Sequence, residues 1–246
     1  MERGGYPGSL LARTDGEARA WRESFVRTYL ERDLPALGVR VPATQLRRFW
    51  QMLAHFHGQV WNASAFARNF DVSAPTVRHY LDMLSDTFVV RQLQPFHANL
   101  KKRLVKAPKV YVRDSGLLHT LLGIEDFEAL HGHPSLGASF EGFVIEQILA
   151  MLPDRVTANY FRTHSGDELD LLLTVSHKER LAIEVKFTSA PSLSASMQRA
   201  MTDTGATRGF VITAGRDSFP LSRHVEAIPL LDFVEKVAGP LHRRLV

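Results

Sequence analysis

Glu168-Leu169-Asp170-Leu171-Leu172-Leu173-Thr174-Val175 and Leu181-Ala182-Ile183-Glu184-Val185-Lys186-Phe187 decide how this chain is read. Both runs alternate like strands. In the first, Glu168, Asp170 and Thr174 fall on one face and Leu169, Leu171, Leu173 and Val175 on the other. In the second, Ala182, Glu184 and Lys186 oppose Leu181, Ile183, Val185 and Phe187. Side chains of a strand point alternately to its two faces, so each charged set shares a side. If the strands pair, two carboxylates and an ammonium converge on one patch. Hard oxygen donors beside an amine suit a divalent cation and the cleavage of a phosphodiester.

Outward from this pair, Asn159–His164 reads as a preceding strand, Leu193–Thr204 as a helix and Gly209–Thr213 as a further strand. Ala227–Pro229 may be read as a last short strand before a helix over Leu230–Ala238. Upstream, Ser139–Leu152 reads as a helix. At roughly 100° per residue, its apolar positions fill an arc of roughly 140° starting at Phe140. Glu141 falls inside that arc, whereas Glu146 falls on the opposite, solvent side. An inward carboxylate requires a partner, a hydrogen bond or a metal. This order predicts an α/β sandwich with a mixed central sheet over residues 139–246.

The first half reads differently. Residues 19–113 carry 16 Lys or Arg against 6 Asp or Glu, whereas residues 114–246 carry 12 against 17. A basic half joined to an acidic half implies two bodies with different tasks. Residues 1–40 form a helical segment, with Trp21, Phe25, Tyr29 and Leu30 near one stripe. Residues 41–123 then read as a helix-turn-helix with a wing. Thr44–His57 is helical, Asn62–Phe70 is a short helix, Asp71-Val72-Ser73 is a turn, and Thr76–Asp86 is the recognition helix. Ser73 is its N-cap, with Pro75 tolerated in the first turn. Phe88–Leu93 and Val110–Val112 would be wing strands, joined by a basic loop with Lys101, Lys102, Arg103, Lys106 and Lys109. On DNA, Thr76, Arg78 and His79 would lie near the start of the recognition helix, and Lys101, Lys102 and Arg103 would meet phosphates. Asp114 caps the helix at Leu117–Leu122, and residues 124–138 form a linker.

No apolar run approaches the length of a membrane span, and the first residues lack a signal-peptide layout. With no cysteine, disulfides and thiolate metal sites are excluded, which suits a cytoplasmic protein.

The ordered set Glu141, Gly166-Asp167-Glu168-Leu169-Asp170 and Ile183-Glu184-Val185-Lys186 resembles the PD-(D/E)xK, or restriction-endonuclease-like, nuclease superfamily. The likeness covers residues 139–213. It implies that Asp170, Glu184 and Glu141 hold Mg²⁺ or Mn²⁺ and that Lys186 orients the attacking water or balances charge. Across nearly its whole length the chain is similar to the C-terminal half of bacterial and archaeal AAA-type ATPases bearing this domain. Arg3-Gly4-Gly5-Tyr6-Pro7, Tyr29-Leu30-Glu31-Arg32-Asp33-Leu34 and Lys109-Val110-Tyr111-Val112-Arg113-Asp114-Ser115-Gly116 carry that likeness. The departure is the absence of a G-x4-G-K-[ST] phosphate loop, so the resemblance implies no ATPase here. The resulting expectation is a DNA-binding protein with a metal-dependent nuclease fold. The alternative is a catalytically inactive recognition or regulatory module that binds DNA, a partner ATPase or another protein.

Overall fold

A computed structural model describes residues 1–97 and 103–245, and these divide into two compact units. The first comprises Met1–Gln92 and Val110–Phe143; the second comprises Leu93–Lys109 and Val144–Val246.

The first unit is mainly helical. It contains α1 (Pro7–Leu10), α2 (Asp15–Thr28), α3 (Leu34–Ala36), α4 (Ala43–His55), α5 (Ala63–Phe70) and α6 (Ala74–Asp86). A π-helical segment, Tyr29–Asp33, joins α2 to α3. α7 (Ser115–Leu122), α8 (Phe127–His131) and the start of α9 (Leu136–Met151) follow. β1 (Gln59–Val60), β2 (Val90–Leu93) and β3 (Lys109–Val112) make a three-stranded sheet in the order β1-β3-β2. Side chains satisfy the free amides at the helix starts, as capping requires. Ser73 accepts from Thr76 N–H to begin α6, with Pro75 in the first turn, and Asn62 accepts from Ala65 N–H to begin α5. The turn between α5 and α6 places Asp71 in the left-handed region at φ 52°. Phe49, Trp50, Phe66, Val77, Leu81 and Leu84 are buried together, at the apolar positions the helical periodicity marks.

Two segments whose sequences are far apart lock to each other in this unit. Asp114 caps α7 through Leu117 N–H at 2.8 Å, and its second oxygen accepts from Gly5 N–H at 2.6 Å. The fit needs glycine on both sides. A Cβ at Gly4, which has φ 73°, would come within 2.2 Å of the Asp114 carboxylate. One at Gly116 would come within 2.5 Å of the Arg3 carbonyl oxygen.

The second unit is a six-stranded mixed sheet with helices. β4 (Thr157–Arg162), β5 (Glu168–Ser176) and β6 (Glu179–Lys186) form an antiparallel meander. α10 (Ala195–Thr204) leads to β7 (Arg208–Thr213), which pairs parallel with both β6 and β9 (Val225–Pro229). β8 (Phe219–Pro220) closes the order β4-β5-β6-β7-β9-β8. α11 (Leu230–Phe233), a π-helical segment and α12 (Gly239–Leu245) complete the unit.

Three expectations change. Residues 124–138 are not a bare linker: they include α8, with Leu130 fully buried, and the start of α9. The stretch between β2 and β3 does not form a free wing loop. Its described residues belong to the second unit and line the outer edge of β4. Phe96 N–H donates to Tyr160 O at 2.7 Å, Val105 N–H to Arg162 O at 3.0 Å, and His164 N–H to Arg103 O at 3.0 Å. An unpaired sheet edge is thereby covered. Finally, β5 does not alternate strictly. Its register against β4 slips between the pairs Asn159↔Leu172 and Phe161↔Leu169, so two residues lie between leucines that pack in one cluster. Such a bulge reverses the facing of everything beyond it.

The first unit also buries two histidines. His57 Nδ1 accepts from Val112 N–H at 3.0 Å, and His119 shares hydrogen bonds with Ser139 Oγ and Glu2 O. Burial pushes the imidazolium form of His57 down to about 3, with the Ala138 backbone offsetting only part, and pushes that of His119 down to about 4. The unfolded chain therefore takes up protons near the ordinary value of 6.5, before the folded chain does. Stability from these two sites is fully present above that value and is lost as pH falls through the folded values. Urea denaturation should show a plateau above pH 7 and a loss of more than about 2 kcal/mol by pH 4.5.

Candidate functional site

At one end of the second unit's sheet, β5 and β6 part company. Their register runs through Leu171↔Ile183, so Glu168–Asp170 and Glu184–Lys186 extend beyond the paired ladder. There the Asp170 carboxylate takes the place of a backbone acceptor: its Oδ2 accepts from Val185 N–H at 2.9 Å. Sequence alternation put the charged residues of each strand on one face; in the structure they lie where the β5–β6 ladder ends.

What surrounds each acid is a protein cation. Lys109 Nζ lies 2.7 Å from Glu168 Oε1 and 3.4 Å from Asp170 Oδ1. Its side chain is 3% exposed. Arg162 closes on the other Glu168 oxygen at 3.3 Å. Glu184 pairs with Lys186 at 3.2 Å and accepts from Ser194 Oγ at 3.1 Å, the same hydroxyl that caps α10 through Met197 N–H. Lys186 also donates to Ser192 O at 3.2 Å. The arrangement is two linked ion-pair groups, one on Lys109 and one on Lys186, joined through the Asp170–Val185 hydrogen bond.

The turn before β5 is fixed just as firmly. Asp167 is buried and its Oδ1 accepts from Arg199 on α10 at 2.7 Å. Gly166, at φ 95°, allows the chain to reverse there, and Ser196 Oγ accepts from Glu168 N–H at 3.0 Å.

The residues singled out from sequence are distributed as follows. Asp170 reaches the Val185 amide between Glu184 and Lys186, while its carboxylate pairs with Lys109 and Glu184 pairs with Lys186. Glu141 belongs to the part of α9 counted with the first unit, where it is half-buried and accepts from Tyr111 Oη at 2.6 Å. Glu146 is half-buried rather than out in solvent. Arg162 is ion-paired with Glu168. In the first unit, Arg78 and His79 are exposed on α6, while Thr76 is half-buried and shares a hydrogen bond with Ser73 Oγ at 2.8 Å. Arg103 is exposed, and Lys101 and Lys102 lie outside the described residues. Lys109 is corrected most: read as part of a solvated basic loop, it is instead buried between two carboxylates.

The donors do not match a seated divalent ion. Both Asp170 oxygens and the Glu184 carboxylate are engaged by protein donors. Among the described residues, no group of three or more His, Asp or Glu side chains is arranged to hold a metal. A hard cation needs several oxygens pointing at one place.

The pairing of Lys109 with Glu168 and Asp170 is what sequence reading missed. A lysine two residues before a buried tyrosine, on a strand of apolar neighbours, was the available signal.

Fold and site define a mixed α/β protein whose N-terminal part is helical and whose C-terminal part carries a six-stranded mixed sheet ending in ion-paired acids. The chain belongs to the family described as Domain of unknown function (DUF8612), whose model matches residues 1–128. Residues 136–233 match a second model, Domain of unknown function (DUF4143). Uncharacterized proteins of Mycobacterium tuberculosis and Mycobacterium bovis are each 48% identical to it over 227 residues, covering 92% of this chain and 51% of theirs. The chain thus spans about half the length of these curated relatives. No solved structure matches it. No helix among the described residues is long and apolar enough to cross a membrane.

If Lys109 and Asp170 act as one unit, their substitutions will not add. In a double-mutant cycle of Lys109→Met and Asp170→Asn, the pair should be less destabilised than the sum of the singles by about 1–3 kcal/mol. Urea denaturation measures it; strict additivity would show that the contact contributes nothing.

Proposed function

We propose that this chain is a DNA-recognition module, a winged-helix unit followed by a restriction-endonuclease-like unit that binds without cutting. The observation that carries it is the first unit's element order. Helix α4, strand β1, helices α5 and α6, then β2 and β3 in a sheet ordered β1-β3-β2 follow the plan of a winged helix. The second helix after the turn presents Arg78 and His79 to solvent near its start, where a recognition helix meets the groove. The basic balance of residues 19–113 favours a phosphate backbone through counterion release.

The described part of the would-be wing is committed to the edge of β4, so contact rests on α6. The exposed Arg78 and His79 and the basic charge supply the physical part of this reading. The second unit's chemistry supports the non-cutting reading. Its acids already carry lysine and arginine partners, and Lys186 is held to Glu184 and to a backbone carbonyl.

A second reading has an observation of its own. Asp170 beyond the end of the β5–β6 ladder, beside Glu184-Val185-Lys186, is the arrangement from which metal-dependent phosphodiester hydrolysis would start. In that reading Asp170 and Glu184 would hold Mg²⁺ or Mn²⁺ after the present partners let go. A partner ATPase or another protein as the target is the remaining outcome.

Gel-shift titration with duplex, single-stranded and branched DNA, in Mg²⁺, Mn²⁺ or EDTA, separates these readings. Duplex binding should weaken steeply with salt and need no metal, and no substrate should be cut. Arg78→Ala should weaken binding by about 1–3 kcal/mol if it reads a base. If it meets a phosphate, the salt slope should fall by about one. Metal-dependent cutting abolished by Asp170→Ala establishes the hydrolase reading instead. Neither binding nor cutting points to a protein target.

A further inference from the structure

Lys109 has a geometry that a surface lysine lacks. It is 3% exposed, it opens β3, and its ammonium touches the carboxylates of two residues on another strand, Glu168 and Asp170. The segment that carries it is tied down: Tyr160 Oη donates to Ala107 O, and the Lys109 ammonium lies 5.8 Å from the centre of the Tyr160 ring. Burial pushes the Tyr160 hydroxyl up to about 12, so it stays a neutral donor at ordinary pH. Lys186, by contrast, is 29% exposed.

We propose that Lys109 is a tethered cation, standing between Glu168 and Asp170 where a divalent ion would otherwise be drawn, so that this end of the sheet is held together without metal. The proposal rests on the non-cutting reading and extends it to a specific residue.

The charges support it. Two carboxylates, Glu168 and Asp170, face two protein cations, Lys109 and Arg162, which offset their charge. Mg²⁺ binds oxygen at about 2.0–2.1 Å and demands several such ligands around it. An ammonium 2.7 Å from one of those oxygens leaves no room for the ion and repels it. Two half-buried carboxylates side by side would repel each other without a cation, which gives the lysine a structural reason to be there. Tethering makes the compensation permanent: a side chain on the same chain needs no free ion and cannot be removed by chelation.

The same geometry says what removal does. Taking away the ammonium leaves Glu168 and Asp170 close together and uncompensated, with Arg162 on the far Glu168 oxygen. Hard oxygen donors in that state attract Mn²⁺ or Mg²⁺.

Isothermal titration calorimetry with MnCl₂ tests this on the whole chain, comparing wild type, Asp170→Asn, Lys109→Met and the double variant, with circular dichroism to verify folding. Wild type and Asp170→Asn should behave alike, with no Asp170-dependent site up to millimolar Mn²⁺. Lys109→Met should gain one site at least tenfold tighter than any wild-type binding, and the double variant should lose it. Wild-type binding abolished by Asp170→Asn would overturn the proposal. So would a folded Lys109→Met that gains nothing. Should Lys109→Met fail to fold, the conservative Lys109→Gln takes its place, and the wild-type comparison with Asp170→Asn still decides against a resident ion. DNA binding is measured separately by gel shift, so failure of the recognition reading leaves the Mn²⁺ result interpretable.

Discussion

A buried ammonium placed between two carboxylates organises the end of the second unit's sheet where β5 and β6 part. Lys109 joins the first residue of β3 to the start of β5, across a separation of 61 residues from Asp170 in sequence. Charges removed from water are tolerated only when each is compensated and hydrogen-bonded, and here Glu168, Asp170, Arg162 and the Val185 amide complete the set. The divergence of β5 from β6 follows in kind. Where the ladder ends, a side-chain carboxylate accepts the amide that the next backbone pair would have used.

The described residues between β2 and β3 belong to the second unit, where they line β4, and Lys109 is the last of that segment. It covers a sheet edge and delivers a cation in one pass. A loop that looks like a mobile basic wing in composition is therefore anchored over its described length. DNA contact, on this account, falls to α6.

Much of this was legible in the sequence, and the parts that were not have physical reasons. Ser73 and Asp114 announce their helices because a capping side chain needs a short polar residue at one position. Asp170, Glu184 and Lys186 were visible because polar residues interrupt otherwise apolar strands. The β5 bulge was hidden, since Leu171, Leu172 and Leu173 are chemically alike and any of them can face either way. Lys109 was hidden because its partners lie far along the chain, and a lysine among other basic residues looks solvated. Likewise the Gly5–Asp114 contact joins two segments that seemed separate. Its logic emerges only once Gly4 and Gly116 are seen to leave room for each other's backbone and carboxylate.

The most direct measurement is anomalous diffraction from crystals of the intact chain grown in MnCl₂. The account predicts no manganese peak at the ends of β5 and β6, with the Lys109 ammonium in hydrogen-bond contact with Glu168 and Asp170. A manganese peak ligated by Asp170 and Glu184, with Lys109 displaced, would contradict it.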